Sequence, residues 1–282
     1  MRLTSIDVYS NGSPVASLSF KNPSSSNPYN ATAIDGLDAE EVNARFYGYA
    51  VTSKTKQYNL SLPERDVTLH ISLSPDFANN KSYSDLRDDL YKAVYSSRTG
   101  LIELRFKDDA ITKAVLTGFV TKFESPRFTK SPEVNLTIRC PEPMLKAPTR
   151  TDITVAGLGS TFTITDAVST APHGFKFDLT FTADTPSFVI KDSATPEWTF
   201  SLGSILILGV TGFKVGDHLY VSSESGDKNV YLVRSATTYP LADKVLPGSS
   251  WPLIFPLDNH FVITTGTFTW GSISHLYTYW GA

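Results

Sequence analysis

The chain has 282 residues, with 25 Lys and Arg against 28 Asp and Glu, and one cysteine. A formal charge of −3 argues against a nucleic-acid grip through a basic surface, and a lone cysteine excludes an intrachain disulfide. The hydrophobic fraction of 41% and aromatic fraction of 12% are those of a globular chain, long enough for two domains of about 130–150 residues.

The opening Met1-Arg-Leu-Thr-Ser-Ile-Asp7 lacks the apolar centre of a secretory signal, so a protein neither exported by the general route nor membrane-anchored is expected. Strands Arg2–Tyr9 and Val15–Ser19 follow, joined at Asn11-Gly12, a strong hairpin signal. After the Pro- and Ser-rich loop Lys21–Pro28, Val67–Leu73 alternates cleanly and places Val67, Leu69, Ile71 and Leu73 on one face. The spacing then predicts a helix over Tyr83–Ser97. Ser82 or Ser84 caps it, Gly100 ends it, and Tyr83, Leu86, Leu90, Tyr91, Val94 and Tyr95 form one stripe. Leu101–Phe106, Ile111–Phe123 and Val134–Cys140 read as further strands, with Cys140 a small buried apolar group.

Three prolines within Pro141–Pro148 predict a stiff, irregular linker. Residues 1–149 carry 18 basic against 17 acidic side chains, residues 150–282 carry 7 against 11, and all four tryptophans lie beyond the linker. The expected domains are therefore 1–148 and 149–282. The second reads as many short strands with turns between them, among them Thr161–Thr165, Phe175–Thr182, Trp198–Ser201, the apolar run Ile205–Val210, Leu219–Ser222, Val230–Arg234, Phe261–Thr264 and Leu276–Trp280. Such a pattern is mainly β, a sandwich or jelly roll.

No constellation of catalytic type stands out. Asp85, Asp88 and Asp89 open the helix, where the macrodipole favours acids, and Asp38, Glu40 and Glu41 occupy a turn. Neither group has an acid/base partner at a fixed spacing. His70, His173, His218, His260 and His275 are scattered singly, each read as an ordinary surface or strand residue, without metal-ligand spacing. Ala156-Gly-Leu-Gly159 lacks the Lys and the helix of a phosphate loop. No cofactor and no metal site is expected.

Several segments together form a composite pattern. They are Ile34-Asp35-Gly36-Leu37, Tyr83–Tyr91, Gly118-Phe-Val120, Ile138–Pro143, Phe213-Lys-Val-Gly216-Asp217–Val221, Lys228–Leu232, Ser250-Trp251-Pro252-Leu253, Pro256–Ile263 and Tyr277–Gly281. In this order they resemble the distal tail (Dit) family of siphophages, from one end of the chain to the other. The resemblance implies two domains, an N-terminal tail-tube-like β-sandwich with one helix and a C-terminal galectin-like β-sandwich. It implies no enzymatic activity. It also implies a homo-hexameric ring in the virion tail tip, made in the host cytoplasm, between the tail tube protein and the tail-associated hub protein. Receptor-binding proteins would be further partners, and viral DNA would pass through the lumen unbound, with no membrane involved.

Under that resemblance, Ile34, Asp35, Gly36, Leu37, Tyr83, Leu86, Arg87 and Tyr91 are placed near ring contacts. Asp85 and Asp88 are placed in the lumen, where acids would repel DNA phosphates. The alternative is a carbohydrate-binding adhesion module recognising host-surface glycan. For that role Trp251, framed by Pro247-Gly-Ser-Ser250 and Pro252, is the tryptophan expected on a loop.

Overall fold

A computed structural model describes residues 3–20, 27–38, 43–48, 55–61, 63–76, 79–95, 101–126, 132–193, 198–207, 209–264 and 266–280. The chain divides into two compact units, Met1–Pro148 with Tyr279–Ala282, and Thr149–Thr278.

The first unit contains β1 (Ser5–Ser10), β2 (Ser13–Ser19), β3 (Tyr29–Asp35), β4 (Asn43–Gly48), β5 (Thr55–Ser61) and β6 (Arg65–Leu73). Helix α1 (Tyr83–Tyr95) follows, then β7 (Leu101–Asp108), β8 (Ile111–Glu124), β9 (Glu133–Cys140) and β10 (Leu145–Lys146). At the β1–β2 turn Asn11 and Gly12 have φ of 50° and 76°, the left-handed pair that a two-residue hairpin requires. Strands β4 and β5 form a separate hairpin.

The main sheet runs β8-β7-β1-β2-β3-β6-β9, and β9 pairs again with β8. The sheet therefore closes on itself, where the sequence leads one to expect a sandwich. The cause is the length of β8, whose 14 residues pair with β7 as far as Phe119 and with β9 from Phe119 onward. A bulge between Val120 and Lys122 bends the strand at the seam. At that seam a Cβ on Gly118 would fall 2.5 Å from the Arg139 carbonyl oxygen and 2.8 Å from Cys140 Sγ. Only a residue without a side chain lets β8 and β9 approach so closely.

Alternation along β6 buries Val67, Leu69, Ile71 and Leu73, and Leu86, Leu90 and Val94 of α1 join the same core. The expected tyrosine half of the helix stripe does not follow them inward. Tyr83, Tyr91 and Tyr95 are 44%, 51% and 42% exposed, because the aliphatic positions already fill the contact with the core. Residues 96–100, including the expected terminator Gly100, lie outside the described residues, as do 21–26, Glu40 and Glu41. Within the proline-rich stretch, Leu145 is buried in the first core and Lys146 pairs with Val115 of β8. A short strand thus stands where an irregular linker is expected.

The second unit contains β11 (Thr151–Asp152), β12 (Thr161–Asp166), β13 (Phe175–Phe181), β14 (Phe188–Asp192), β15 (Trp198–Leu202), β16 (Leu206–Ile207) and β17 (Val210–Thr211). After these come β18 (His218–Glu224), β19 (Asp227–Arg234), β20 (Thr237–Pro240), β21 (Leu257–Ile263) and β22 (Phe268–His275). A six-stranded sheet, β11-β22-β13-β18-β19-β20, and a four-stranded sheet, β12-β21-β14-β15, share one core. Phe175, Phe177, Leu179 and Phe181 of β13 all point into it. Ile205–Val210 is not one strand. The chain turns at Gly209, with φ of 77°, into a small hairpin that buries Ile205 and Ile207 and leaves Leu206 67% exposed. The chain's last strand, β23, is reduced to Thr278–Tyr279, and its Tyr279 belongs to the first unit.

Candidate functional site

Helix α1 starts at a reciprocal cap. The Asp85 amide donates to Ser82 Oγ at 3.3 Å, and the Ser82 amide donates to Asp85 Oδ2 at 2.9 Å. Bonds from the Ser82 hydroxyl and amide hold the Asp85 carboxyl below the usual carboxylate range. Asp85 is therefore committed to the helix start. Lys81 pairs with Asp89 at 2.6 Å, and that carboxylate raises the lysine. Arg87 reaches forward to Asp88 at 2.8 Å and back to Ser84 Oγ at 3.3 Å.

Across from this helix face, the end of β8 brings up Phe123. Its ring meets Tyr91 edge-on at 5.3 Å and Tyr95 at 6.4 Å, and the two tyrosines lie 4.8 Å apart. Arg87, Asp88, Tyr91, Phe123 and Ser125 line an open groove of about 340 Å³. A second hollow of about 300 Å³, lined by Pro75, Asp76, Asn80, Lys81, Ser82 and Tyr83, opens at the start of the helix. Aromatic rings and an arginine, half-exposed and already held by neighbours, have the composition of a protein-binding surface.

Of the residues expected near contacts, Arg87 and Tyr91 come together in the groove, and Tyr83 borders the second hollow. Leu86 must be corrected. It is buried in the core and its carbonyl accepts the Tyr29 hydroxyl at 3.1 Å, so it anchors the helix and offers no surface. Ile34–Leu37 is not part of this group. Tyr29, at the start of β3, touches the helix, whereas Gly36 lies just past the strand's other end, about 20 Å along it. There Asp35 pairs with His70 at 2.9 Å. Gly36 has φ of 82°, and a Cβ on it would fall 2.1 Å from the Asp66 carbonyl oxygen. Asp66 itself is gripped by Arg139 through two bonds of 2.9 Å, which lower its carboxyl.

In the second unit the motif residues are structural pins. Arg234 donates to Asp217 through two bonds of 2.9 and 2.6 Å and to the Gly212 carbonyl at 2.8 Å, while Asp217 Oδ2 accepts the Lys214 amide at 2.8 Å. Buried Asn259 accepts the Phe255 amide at 2.7 Å and donates to the carbonyls of Ile164, Phe255 and Leu257. Trp251 does lie outside regular structure, but its ring leans on Phe200 at 5.4 Å and is half-buried. Trp198 and Trp270 donate their indole N–H groups to the Leu253 and Gly159 carbonyls.

Two histidines read as isolated are in fact paired. His173 and His275 are buried and stacked with ring centres 4.9 Å apart, and His173 Nε2 lies 2.8 Å from His275 Nδ1. Buried Asp166 stands 3.6 Å from His173 Nδ1. Nothing in the sequence announces the pair, whose members stand 102 positions apart. Among the described residues no group of three or more His, Cys, Asp or Glu could hold a metal ion, and no helix is long and apolar enough to cross a membrane.

No protein-family model and no curated protein matches the chain. Solved structures do. The crystal structure of the Dit protein of phage SPP1, described as a paradigm of the hub adsorption apparatus in phages infecting Gram-positive bacteria, is similar with a TM-score of 0.60 and 12% identity. The likeness covers 97% of this chain and 98% of that one. Chains of the phage P2 baseplate in its activated conformation, with Ca and with Sr, are each 8% identical, with TM-scores of 0.43 and 0.40 over 96% of this chain and 97% of theirs. The resemblance carried by scattered motifs is thus matched in three dimensions, and the chain has the fold of a phage distal tail hub protein along nearly its whole length.

Proposed function

We propose that the chain is a structural, non-enzymatic virion protein, the distal tail hub of a siphophage tail. The observation that carries this reading is the fold shared with the SPP1 hub protein over both chains' near-full lengths. Six copies of the first unit close a ring by rotational symmetry, which leaves two unlike faces for unlike partners. The tail tube protein takes one face and the tail-associated hub protein the other, and DNA passes through the lumen. The second unit, of galectin-like shape, points to receptor-binding proteins as its partners.

The ring contact uses the exposed face of α1 and the end of β8, where Tyr91, Tyr95, Phe123 and Arg87 are set. The turn Ile34–Leu37 serves a second contact, too far along β3 to share the first. Asp85 and Asp88, both exposed, are the candidate lumen charges, the first also capping the helix and the second paired with Arg87. Tyr91→Ser combined with Phe123→Ser tests the contact. The variant should stay folded, a few degrees less stable because Phe123 leans on the first core, and fail to form rings on mixing with the tube and hub proteins. Ring formation at wild-type yield would refute the placement.

A further inference from the structure

The stacked histidines lie where the chain leaves the second unit. Asp166, at the end of β12, accepts the amides of Val168 and Ser169 on Oδ1 at 3.0 and 2.9 Å, which fixes the loop that carries His173. That loop holds Thr278. The amides of Thr170 and Ala171 donate to the Thr278 carbonyl, the Thr278 amide donates to Ser169 Oγ at 3.2 Å, and Thr278 Oγ1 donates to the Ala171 carbonyl at 3.0 Å. His275, at the end of β22, comes three residues before this clamp.

From these contacts we infer that Asp166, His173 and His275 form a proton-operated clamp on Thr278, closed while both imidazoles are neutral and opened by acid. The inference does not depend on the ring reading. Three groups face His173 Nδ1, the Ala171 carbonyl and the Ser169 hydroxyl at 3.4 Å each and Asp166 Oδ2 at 3.6 Å; the carbonyl and the carboxylate can only accept, so Nδ1 carries the hydrogen. His173 Nε2 is then the acceptor, and His275 Nδ1–H donates to it across 2.8 Å. A first proton can be shared as an imidazolium–imidazole bond if His275 carries its own hydrogen on Nε2, whereas a second proton sets two donors against each other at that distance, and the pair must part.

The charged groups around the pair come from four segments. Asp166 faces His173, Glu224 ends β18, and Arg150 precedes β11 and is paired to Glu224, which Lys176 approaches at 3.5 Å. Tyr277 meets His275 edge-on at 4.8 Å. Burial, followed by the neighbouring His275, pushes His173 down to about 4 against the pull of Asp166. Burial likewise lowers His275. When the clamp opens, water reaches both rings and restores their ordinary affinity for protons. The open form therefore binds protons that the closed form refuses. The closed form is fully favoured above the ordinary histidine value of 6.5 and loses that advantage as pH falls from there toward about 4.

Amide hydrogen exchange and histidine NMR on the intact chain test this. Between about pH 7.5 and about pH 4.5, after correction for intrinsic rates, protection of the Thr278, Thr170 and Ala171 amides should fall at least about tenfold relative to Leu232 in the same unit's core. His173 and His275 should titrate well below the ordinary histidine value of 6.5. Exchange at Thr278 that tracks Leu232 across this range, or two buried rings that titrate at the ordinary histidine value, would overturn the inference. His173→Gln with His275→Gln should abolish the acid-dependent loss of protection, and a folded variant that retains it also refutes the clamp. Should that variant fail to fold, the wild-type titration decides alone.

Discussion

Asp217→Ala strips Arg234 of its counter-charge inside the second unit. Their side chains are 3% and 11% exposed, and two charge-assisted bonds join them while a third ties Arg234 to the Gly212 carbonyl. The carboxylate raises the arginine, and even without it a guanidinium does not lose its proton, so Arg234 stays charged after its partner is gone. Breaking one side of a buried pair costs about 3–5 kcal/mol, because a charge is left without compensation. The substitution also removes the acceptor for the Lys214 amide, which closes the turn before β18. Against a domain stability of order 5–15 kcal/mol, that is about a fifth of the total or more. It should lower the unit's melting temperature by roughly 10–20 °C. Urea unfolding followed by tryptophan emission is the assay, since Trp198, Trp251 and Trp270 all lie in this unit. Asp217→Asn should fall between wild type and Ala, because it keeps the turn acceptor and loses the charge. Asp217→Ala with Arg234→Ala should cost clearly less than the sum of the single changes. A loss below about 1 kcal/mol for Asp217→Ala, or strict additivity in the double variant, would refute the argument.

Gly118→Ala should destabilise the first unit by at least about 1–3 kcal/mol in chemical denaturation, through overpacking against Arg139 and Cys140 at the seam between β8 and β9. Cys140 is fully buried, and burial pushes its thiol up to about 12, so thiol reagents should leave it untouched in the native protein and label it on unfolding; rapid native labelling would contradict the closed barrel. Ser82→Ala should cost about 0.5–1 kcal/mol by loss of the helix cap, read from the same denaturation curves.

Local pattern was legible wherever burial follows a fixed period. Val67–Leu73 and Phe175–Phe181 alternate because each has one face on a core, and both lie in strands with that alternation intact. The cap at Ser82 was legible because it acts within three residues. What failed was long-range. Barrel closure rests on the second partner of β8, a contact between elements that no local period reveals. Ile205–Val210 was misread because an unbroken apolar run looks the same whether it is one strand or a hairpin, and only the left-handed turn at Gly209 decides. The tyrosines of α1 share the helical spacing of Leu86 and Leu90, yet spacing does not say where the apolar stripe ends. Arg87 and Tyr91, which the family pattern picks out, line one groove with Phe123, which sits in another element and passes in the sequence for an ordinary strand residue. The histidine pair was invisible for the same reason.

Assembly is the central claim, and the mass of the complex tests it most directly. Light scattering on a sizing column, with negative-stain images of the main peak, should be run on the chain mixed with the proposed partners, a tail tube protein and a tail-associated hub protein. The account predicts a species containing six copies of the 31.0 kDa chain and a ring with a central hole. A chain that stays at the mass of one copy in the presence of both partners would contradict it.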